Sequence, residues 1–183
     1  MKPTDSGPLL TRREFSESVG MTAIAASLPA AANAAPAASE LCFLSATELA
    51  AMIRQKSVSA REVMSAHIVQ IERVNPRVNA IVTTAFEHAM KEATRADAQT
   101  IRGGELGALH GLPVAHKDLV DTAGIRTTFG SPFFRDNVPK VDSPLVARTS
   151  AAGAITLGKS NTPEFGAGFA NIQYGIRRNS QSV

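Results

Sequence analysis

Apolar and polar positions repeat with helical spacing between residues 45 and 74, and this pattern predicts two consecutive amphipathic helices. Residues 45–48 (SATE) have the spacing of a capping box, in which a serine and a glutamate bind each other's backbone N–H groups. The first helix should run to about Lys56. Residues 59–62 (SARE) repeat the device. The second helix should end at about Val74, because an Asn-Pro pair follows and the residue before a proline disfavours helical backbone.

The pattern of the second half of the chain is different. Short apolar segments predict strands at residues 79–83 (NAIVT), 114–116 (VAH) and 154–157 (AITL). Helices are predicted at residues 87–101 and again from Ser143, which should be the N-cap of a helix with a proline in its first turn. Residues 122–139 and the chain from Gly158 onward should be loops. This order predicts an α/β fold, with N-terminal helices followed by part of a mixed β-sheet layered with helices.

The first 34 residues have the composition of an export signal. Residues 11–16 (TRREFS) are similar to a twin-arginine (Tat) motif, and a mildly apolar segment follows at residues 19–28. That segment is too short to span a bilayer, for which about 20 apolar residues are needed. Residues 32–34 (ANA) fit a signal-peptidase site. We therefore expect residues 1–34 to be a Tat-like signal, and residues 35–183 to be a periplasmic or secreted domain.

Charge and composition argue against several functions. The formal net charge is +3, but the basic residues do not cluster and aromatic residues make up only 5% of the chain, so nucleic-acid binding is not expected. The one cysteine, Cys42, and four dispersed histidines do not form a metal-ligand pattern. The sequence therefore predicts neither a metal nor a cofactor.

Four motifs follow one another in the second half of the chain. They are residues 111–118 (GLPVAHKD), 127–131 (TTFGS), 142–148 (DSPLVAR) and 158–165 (GKSNTPEF). In this order they resemble the N-terminal portion of the amidase-signature family. The resemblance implies an incomplete amidase-signature fold and a hydrolase that cleaves the C–N bond of a small-molecule carboxamide. It covers roughly half of the chain strongly, and the preceding helices are compatible with it.

The resemblance also implies a catalytic role for Lys117. Members of the family use a Ser–cis-Ser–Lys triad, in which the lysine accepts a proton from a relay serine and must therefore be uncharged. Burial favours the uncharged form of a lysine, and we expect at least the aliphatic stem of Lys117 to be buried because it follows an apolar strand. Two alternatives remain at this point. Lys117 is a surface lysine paired with Asp118, or it forms a Schiff base with a carbonyl substrate.

The two serines of the triad are not found in this sequence. In the family, a Gly-Gly-Ser-Ser-type segment follows the position that Asn179 matches, and here the sequence continues with SQSV instead. The chain is thus expected to be truncated before the Gly/Ser-rich catalytic segment and to be inactive alone. Its exposed sheet edges would allow self-association. The alternative function is a non-catalytic exported fragment or binding module that keeps the amidase scaffold.

Residues 153–160 (GAITLGKS) match the phosphate-binding pattern G-x-x-x-x-G-K-[ST]. The residues between the two glycines form a predicted apolar strand rather than a flexible loop, and no helix is predicted after Ser160. We interpret the match as accidental.

Overall fold

The structure is a computed structural model that describes residues 38–167 and the backbone of two short strands at residues 172–173 and 176–177. All of these residues belong to one unit, residues 35–183. The predicted signal at residues 1–34 and Asn179 lie outside the described residues. The helices are α1 (Ala38–Leu41), α2 (Ala46–Arg54), α3 (Ala60–Val78), α4 (Phe86–Arg102) and α5 (Pro144–Ala151), with 3-10 turns at Pro132–Phe134 and Glu164–Gly166. The strands are β1 (Ile81–Thr84), β2 (Pro113–Lys117), β3 (Ile155–Ser160), β4 (Ile172–Gln173) and β5 (Ile176–Arg177).

Both predicted capping boxes are confirmed. At the start of α2, the Glu48 N–H donates to Ser45 Oγ at 3.2 Å, and the Ser45 N–H donates to Glu48 Oε2 at 2.8 Å. At the start of α3, the Glu62 N–H and Ser59 Oγ are 3.1 Å apart, and the Ser59 N–H donates to Glu62 Oε2 at 2.8 Å. Each box satisfies two backbone N–H groups that would otherwise lack a partner.

The predicted end of α3 at Val74 is wrong, because the helix continues through Pro76 to Val78. Asn79 then ends it in the left-handed conformation at φ 49°. The Asn75 side chain stabilises this end: its Nδ2 donates to the Ile81 carbonyl and its Oδ1 accepts from the Ile81 N–H, both at 2.8 Å. The hydrogen bonds between Asn75 and Ile81 of β1 therefore outweigh the preference of a residue before proline for non-helical backbone.

The hydrophobic core lies between α3, α4 and one face of the strands. Small residues such as Ala89 and Ala93 let α4 approach Val63 and Met64 of α3 closely, and all four are fully buried. Leu157 of β3 packs into the same cluster. Among the described residues, no helix is both long and apolar enough to cross a bilayer.

The sheet that carries the GLPVAHKD and GKSNTPEF motifs has the strand order β1–β3–β2. β1 is antiparallel to β3 and β2 is parallel to it, so the predicted mixed sheet is confirmed. The prediction that a loop begins at Gly158 is wrong, since β3 extends to Ser160. Gly158 allows the close pairing with β1, because a Cβ there would lie 2.4 Å from the Thr83 carbonyl oxygen.

The predicted start of the last α-helix is confirmed. Ser143 Oγ accepts from the Val146 N–H at 3.4 Å, and Pro144 occupies the first turn. Helix α5 ends at Ala151 and is followed by Gly153 at φ 92°. A Cβ on Gly153 would lie 2.7 Å from the Cα of His110, so this turn needs a glycine for both its backbone conformation and its close packing.

Candidate active site

Lys117 is the last residue of β2, where it lies opposite Ser160 of β3. The chain turns immediately afterwards, because the Lys117 carbonyl accepts from the Val120 N–H at 3.0 Å. Lys117 is exposed as a whole residue, so the described part of the chain does not surround its ammonium group with protein. Within residues 38–167, its ammonium group makes neither a hydrogen bond nor an ion pair.

The predicted alternative partner of Lys117, Asp118, is engaged elsewhere. Asp118 is fully buried, and its carboxylate accepts hydrogen bonds from the backbone N–H of Thr128 at 3.0 Å and from the Thr128 hydroxyl. Charge-assisted bonds of this kind are stronger than neutral ones. They connect the end of β2 to the TTFGS motif and leave the Lys117 ammonium separate from the neighbouring carboxylate.

The TTFGS motif packs directly against the GKSNTPEF motif. Ser131 Oγ donates to Glu164 Oε1 at 2.6 Å, and the Phe165 N–H donates to the Phe129 carbonyl at 2.7 Å. Phe129 and Phe165 both have left-handed backbone, at φ 54° and 51°. For bulky residues this conformation is strained by about 1–3 kcal/mol, and such strain concentrates at functional sites. The TTFGS and GKSNTPEF motifs, together with the strand end that carries Lys117, therefore meet in one place.

Lys159 is the site residue that the sequence reasoning missed. Its side chain is fully buried, and its ammonium Nζ donates to the Val120 carbonyl, to Thr122 Oγ1 at 2.9 Å and to Thr127 Oγ1 at 3.0 Å. Burial lowers the pKa of Lys159 to about 8, opposed by the carboxylates of Asp118, Asp121 and Asp142. The interpretation of the G-x-x-x-x-G-K-S match as accidental agrees with this geometry, since a buried ammonium is inaccessible to a phosphate.

His116 lies opposite Lys159 in the parallel pairing of β2 and β3. It is buried, and burial lowers its pKa, with a further lowering from the charge of Lys159 and an opposing contribution from Asp142. The neutral imidazole is therefore favoured beside the buried lysine. His116 and Lys159 are thus both buried in the sheet, one residue before the strand ends at Lys117 and Ser160.

Other candidate groups have structural roles. Ser143 is a helix cap, and the Ser131 hydroxyl donates to Glu164, so neither hydroxyl is placed next to Lys117 by any contact. Cys42 is partly buried against the core, and burial raises its pKa. In the part of the chain that the structure describes, His, Cys, Asp and Glu side chains do not form a group able to hold a metal. Ser180 and Ser182 lie outside the described residues.

Comparison with known proteins identifies similar enzymes. The sequence model of the family described as Amidase matches residues 62–180. The indoleacetamide hydrolase of Bradyrhizobium diazoefficiens is 44% identical over 121 residues, which is 66% of this chain and 23% of that protein. The acylamidase of Rhodococcus erythropolis is 40% identical over 141 residues, which is 76% of this chain and 30% of that protein. The chain therefore spans less than a third of the length of these relatives.

Solved structures show the same relationship. A bacterial aryl acylamidase described as an amidase-signature enzyme superposes with a TM-score of 0.66 and 28% identity. The match covers 70% of this chain and 27% of the aryl acylamidase. The α/β arrangement of helices and mixed sheet described above is thus the arrangement found in one part of that larger enzyme.

Proposed function

Since the chain belongs to the amidase family, we propose that it supplies Lys117 as the base of a Ser–cis-Ser–Lys triad that hydrolyses a small-molecule carboxamide. The observation that supports this most is the placement of Lys117. It is the last residue of β2, its exposed ammonium lacks a partner within residues 38–167, and a turn after it redirects the backbone. A general base must be within hydrogen-bonding reach of the proton that it accepts, and a strand positions a side chain more precisely than a loop does.

In this proposal the two serines come from a segment beyond the described residues. The nucleophilic serine attacks the amide carbonyl and gives its proton to the relay serine, whose own proton passes to Lys117 Nζ. The proton then returns along the same path to the leaving amine as the C–N bond breaks, which leaves an acyl-enzyme that water hydrolyses. The base must be uncharged at the start. Because Lys117 is exposed here, the completing segment would have to cover it and remove its water.

A chimera tests this proposal. Residues 62–180 of this chain would replace the aligned segment of the indoleacetamide hydrolase, which supplies the remainder of an amidase. We expect the chimera to hydrolyse indoleacetamide. Lys117→Ala should lower kcat/KM by about 10²–10⁴-fold, the usual contribution of a general base. The matched control is Lys91→Ala, which removes an exposed lysine of α4 that pairs with Glu87.

Two results would contradict the proposal. An active chimera whose rate is unaffected by Lys117→Ala would show that this lysine is not the base. Carboxamide hydrolysis by purified residues 35–183, abolished by Lys117→Ala, would overturn the further proposal that this chain is inactive without a completing segment. A borohydride-trapped adduct of a ketone on Lys117 would instead favour Schiff-base chemistry.

We also propose that residues 1–34 export the protein by a Tat-like route. The support is the order of a twin-arginine motif, an apolar segment and an A-x-A site in the sequence. In a bacterial host with a Tat system, the periplasmic fraction should contain a product that begins at Ala35. Changing Arg12 and Arg13 together to lysine should leave the uncleaved chain in the cytoplasm. Cytoplasmic, uncleaved wild-type protein would contradict export.

A further inference from the structure

Lys159 has no part in the proton transfers proposed for Lys117, yet it is the only fully buried lysine among residues 38–167. A buried ammonium is costly unless every N–H finds an acceptor. Here three N–H groups meet three oxygens, which belong to Val120, Thr122 and Thr127. The buried Lys159 ammonium therefore has an acceptor for each of its N–H groups. This complete set of hydrogen bonds indicates that the lysine has a specific structural role.

The acceptors of Lys159 belong to the turn that follows Lys117 and to the loop beyond it. Val120 is bonded on both sides: its N–H donates to the Lys117 carbonyl at 3.0 Å, and its own carbonyl accepts from Lys159 Nζ. Lys159 is therefore two hydrogen bonds away from the backbone of Lys117. The pairing of β2 with β3 supplies a second connection, because the Asp118 N–H donates to the Ser160 carbonyl at 3.0 Å.

The two threonines are oriented to accept from an ammonium. The Thr122 hydroxyl donates to the Val120 carbonyl, and the Thr127 hydroxyl donates to the Ile125 carbonyl, each at 3.1 Å. Both hydroxyl protons are thus directed at carbonyls, and each oxygen keeps a lone pair for Lys159. A side chain without N–H donors at position 159 would leave these buried oxygens short of a partner.

Surrounding carboxylates favour a cation at this position. Asp118, Asp121 and Asp142 attract the charge of Lys159 from outside its hydrogen-bonding distance. The carbonyl of Asp121 and the carboxylate of Asp142 also hold neighbouring backbone, since they accept from the Ser143 N–H at 2.9 Å and the Ala123 N–H at 2.7 Å. The buried charge therefore lies at the centre of the loop network that follows β2.

We propose that Lys159 is a positioning residue that fixes the turn after Lys117, and so sets where the Lys117 ammonium is presented to the completing segment. The inference rests on the proposed function of Lys117 but is tested without hydrolysis. It also assigns a role to the GKS sequence of β3. The lysine of that sequence binds the protein's own oxygens rather than a phosphate.

The test uses the full chain and hydrogen exchange of backbone amides followed by NMR. Lys159→Met keeps the length of the side chain and removes its donors, while Lys91→Met removes an exposed lysine as the control. We expect Lys159→Met to speed exchange of the Val120 and Thr128 amides by at least about tenfold, as expected for local opening. Amides in the buried part of α3, such as that of Met64, should change by less than about twofold. The NMR chemical shift of the Lys117 backbone amide should change in Lys159→Met and should stay the same in the control.

A second pair of variants distinguishes an effect on the turn after Lys117 from a loss of global stability. The pair also provides a test if Lys159→Met does not fold. Thr122→Val removes one acceptor of Lys159, and Thr122→Ser keeps it. The valine variant should speed exchange of the Val120 amide by at least about threefold, and the serine variant should restore the wild-type rate.

The proposal is overturned by any of three results. The first is unchanged exchange at Val120 and Thr128 in a folded Lys159→Met protein. The second is an equal rise across the turn and α3, which indicates loss of global stability alone. The third is identical behaviour of Thr122→Val and Thr122→Ser. A chimera that fails to hydrolyse indoleacetamide would contradict the proposed function and leave these three comparisons unaffected.

Discussion

Ser131 Oγ donates a hydrogen bond of 2.6 Å to Glu164 Oε1, and this bond connects two motifs whose bonded residues are 33 positions apart in sequence. Ser131 is fully buried, whereas Glu164 is more exposed. The bond holds the loop that contains Gly130 against the turn that contains Pro163, whose carbonyl oxygen would lie 2.8 Å from a Cβ on Gly130. The contact explains why a loop rich in small residues can have a defined position.

Removal of this bond should destabilise the fold while leaving Lys117, the proposed base, in place. Ser131→Ala should lower the free energy of unfolding by about 0.5–1.5 kcal/mol, because it removes one hydrogen bond and leaves the exposed Glu164 carboxylate to be solvated by water. Denaturant unfolding followed by circular dichroism measures the change. Ser150→Ala, at an exposed position of α5, is the control and should change stability by less than about 0.5 kcal/mol. Equal stability of the two variants would contradict the role of the bond.

Loss of the cap of α3 should also be measurable. Ser59→Ala removes the acceptor for the Glu62 N–H and half of the capping box, and should cost about 1 kcal/mol of stability. Ser65→Ala, at an exposed position within the same helix, should be neutral or slightly stabilising because alanine has the higher helix propensity. If the two substitutions have the same effect on the unfolding midpoint, the cap is not contributing.

Stability should depend on pH through Lys159. Its pKa in the folded chain is about 8, below the usual 10.5, so between these values the unfolded chain binds more protons than the folded chain. The free energy of unfolding should therefore rise with pH across this window, by up to about 3 kcal/mol from Lys159 alone. The difference between wild type and Lys159→Met, measured by denaturant titration at both ends of the window, isolates this contribution. A constant difference would contradict the lowered pKa.

The sheet edges should promote self-association. In the described part of the chain, β1 and β2 each pair with one strand only, β3, so each has one edge without a strand partner. We expect the average mass of residues 35–183 in analytical ultracentrifugation to rise with concentration. Ala115→Lys, at an exposed position of β2, should reduce this rise, since charged residues on an edge oppose strand pairing. Ala147→Lys, exposed on α5, is the control. A monomer at all concentrations would contradict the prediction.

Local signals in the sequence were sufficient for the helix starts. Ser45, Ser59 and Ser143 each cap the helix that follows, because the capping interaction involves residues only three positions apart. The mixed sheet and the amidase family could likewise be predicted, from the alternation of strands and helices and from four motifs in order. Features that depend on short sequence separation were thus predictable from the chain alone.

Features that depend on distant contacts were not predictable in this way. Pro76 remains helical because the side chain of Asn75 binds β1, and β3 continues past Gly158 because β1 approaches it there. Lys117 is exposed because the described residues leave the end of β2 uncovered.

The sequence by itself determined the order of helices α2 to α5 and strands β1 to β3, the family and the candidate base Lys117, since each is encoded in adjacent residues. It did not predict α1, β4 or β5. Only the tertiary structure decided that Lys159, rather than Lys117, is the buried lysine within residues 38–167. Both lysines follow short apolar segments, so local pattern cannot distinguish them. The difference arises because β3 is the central strand of the sheet, where the loops after β2 fold over it and supply the oxygens that a buried ammonium requires.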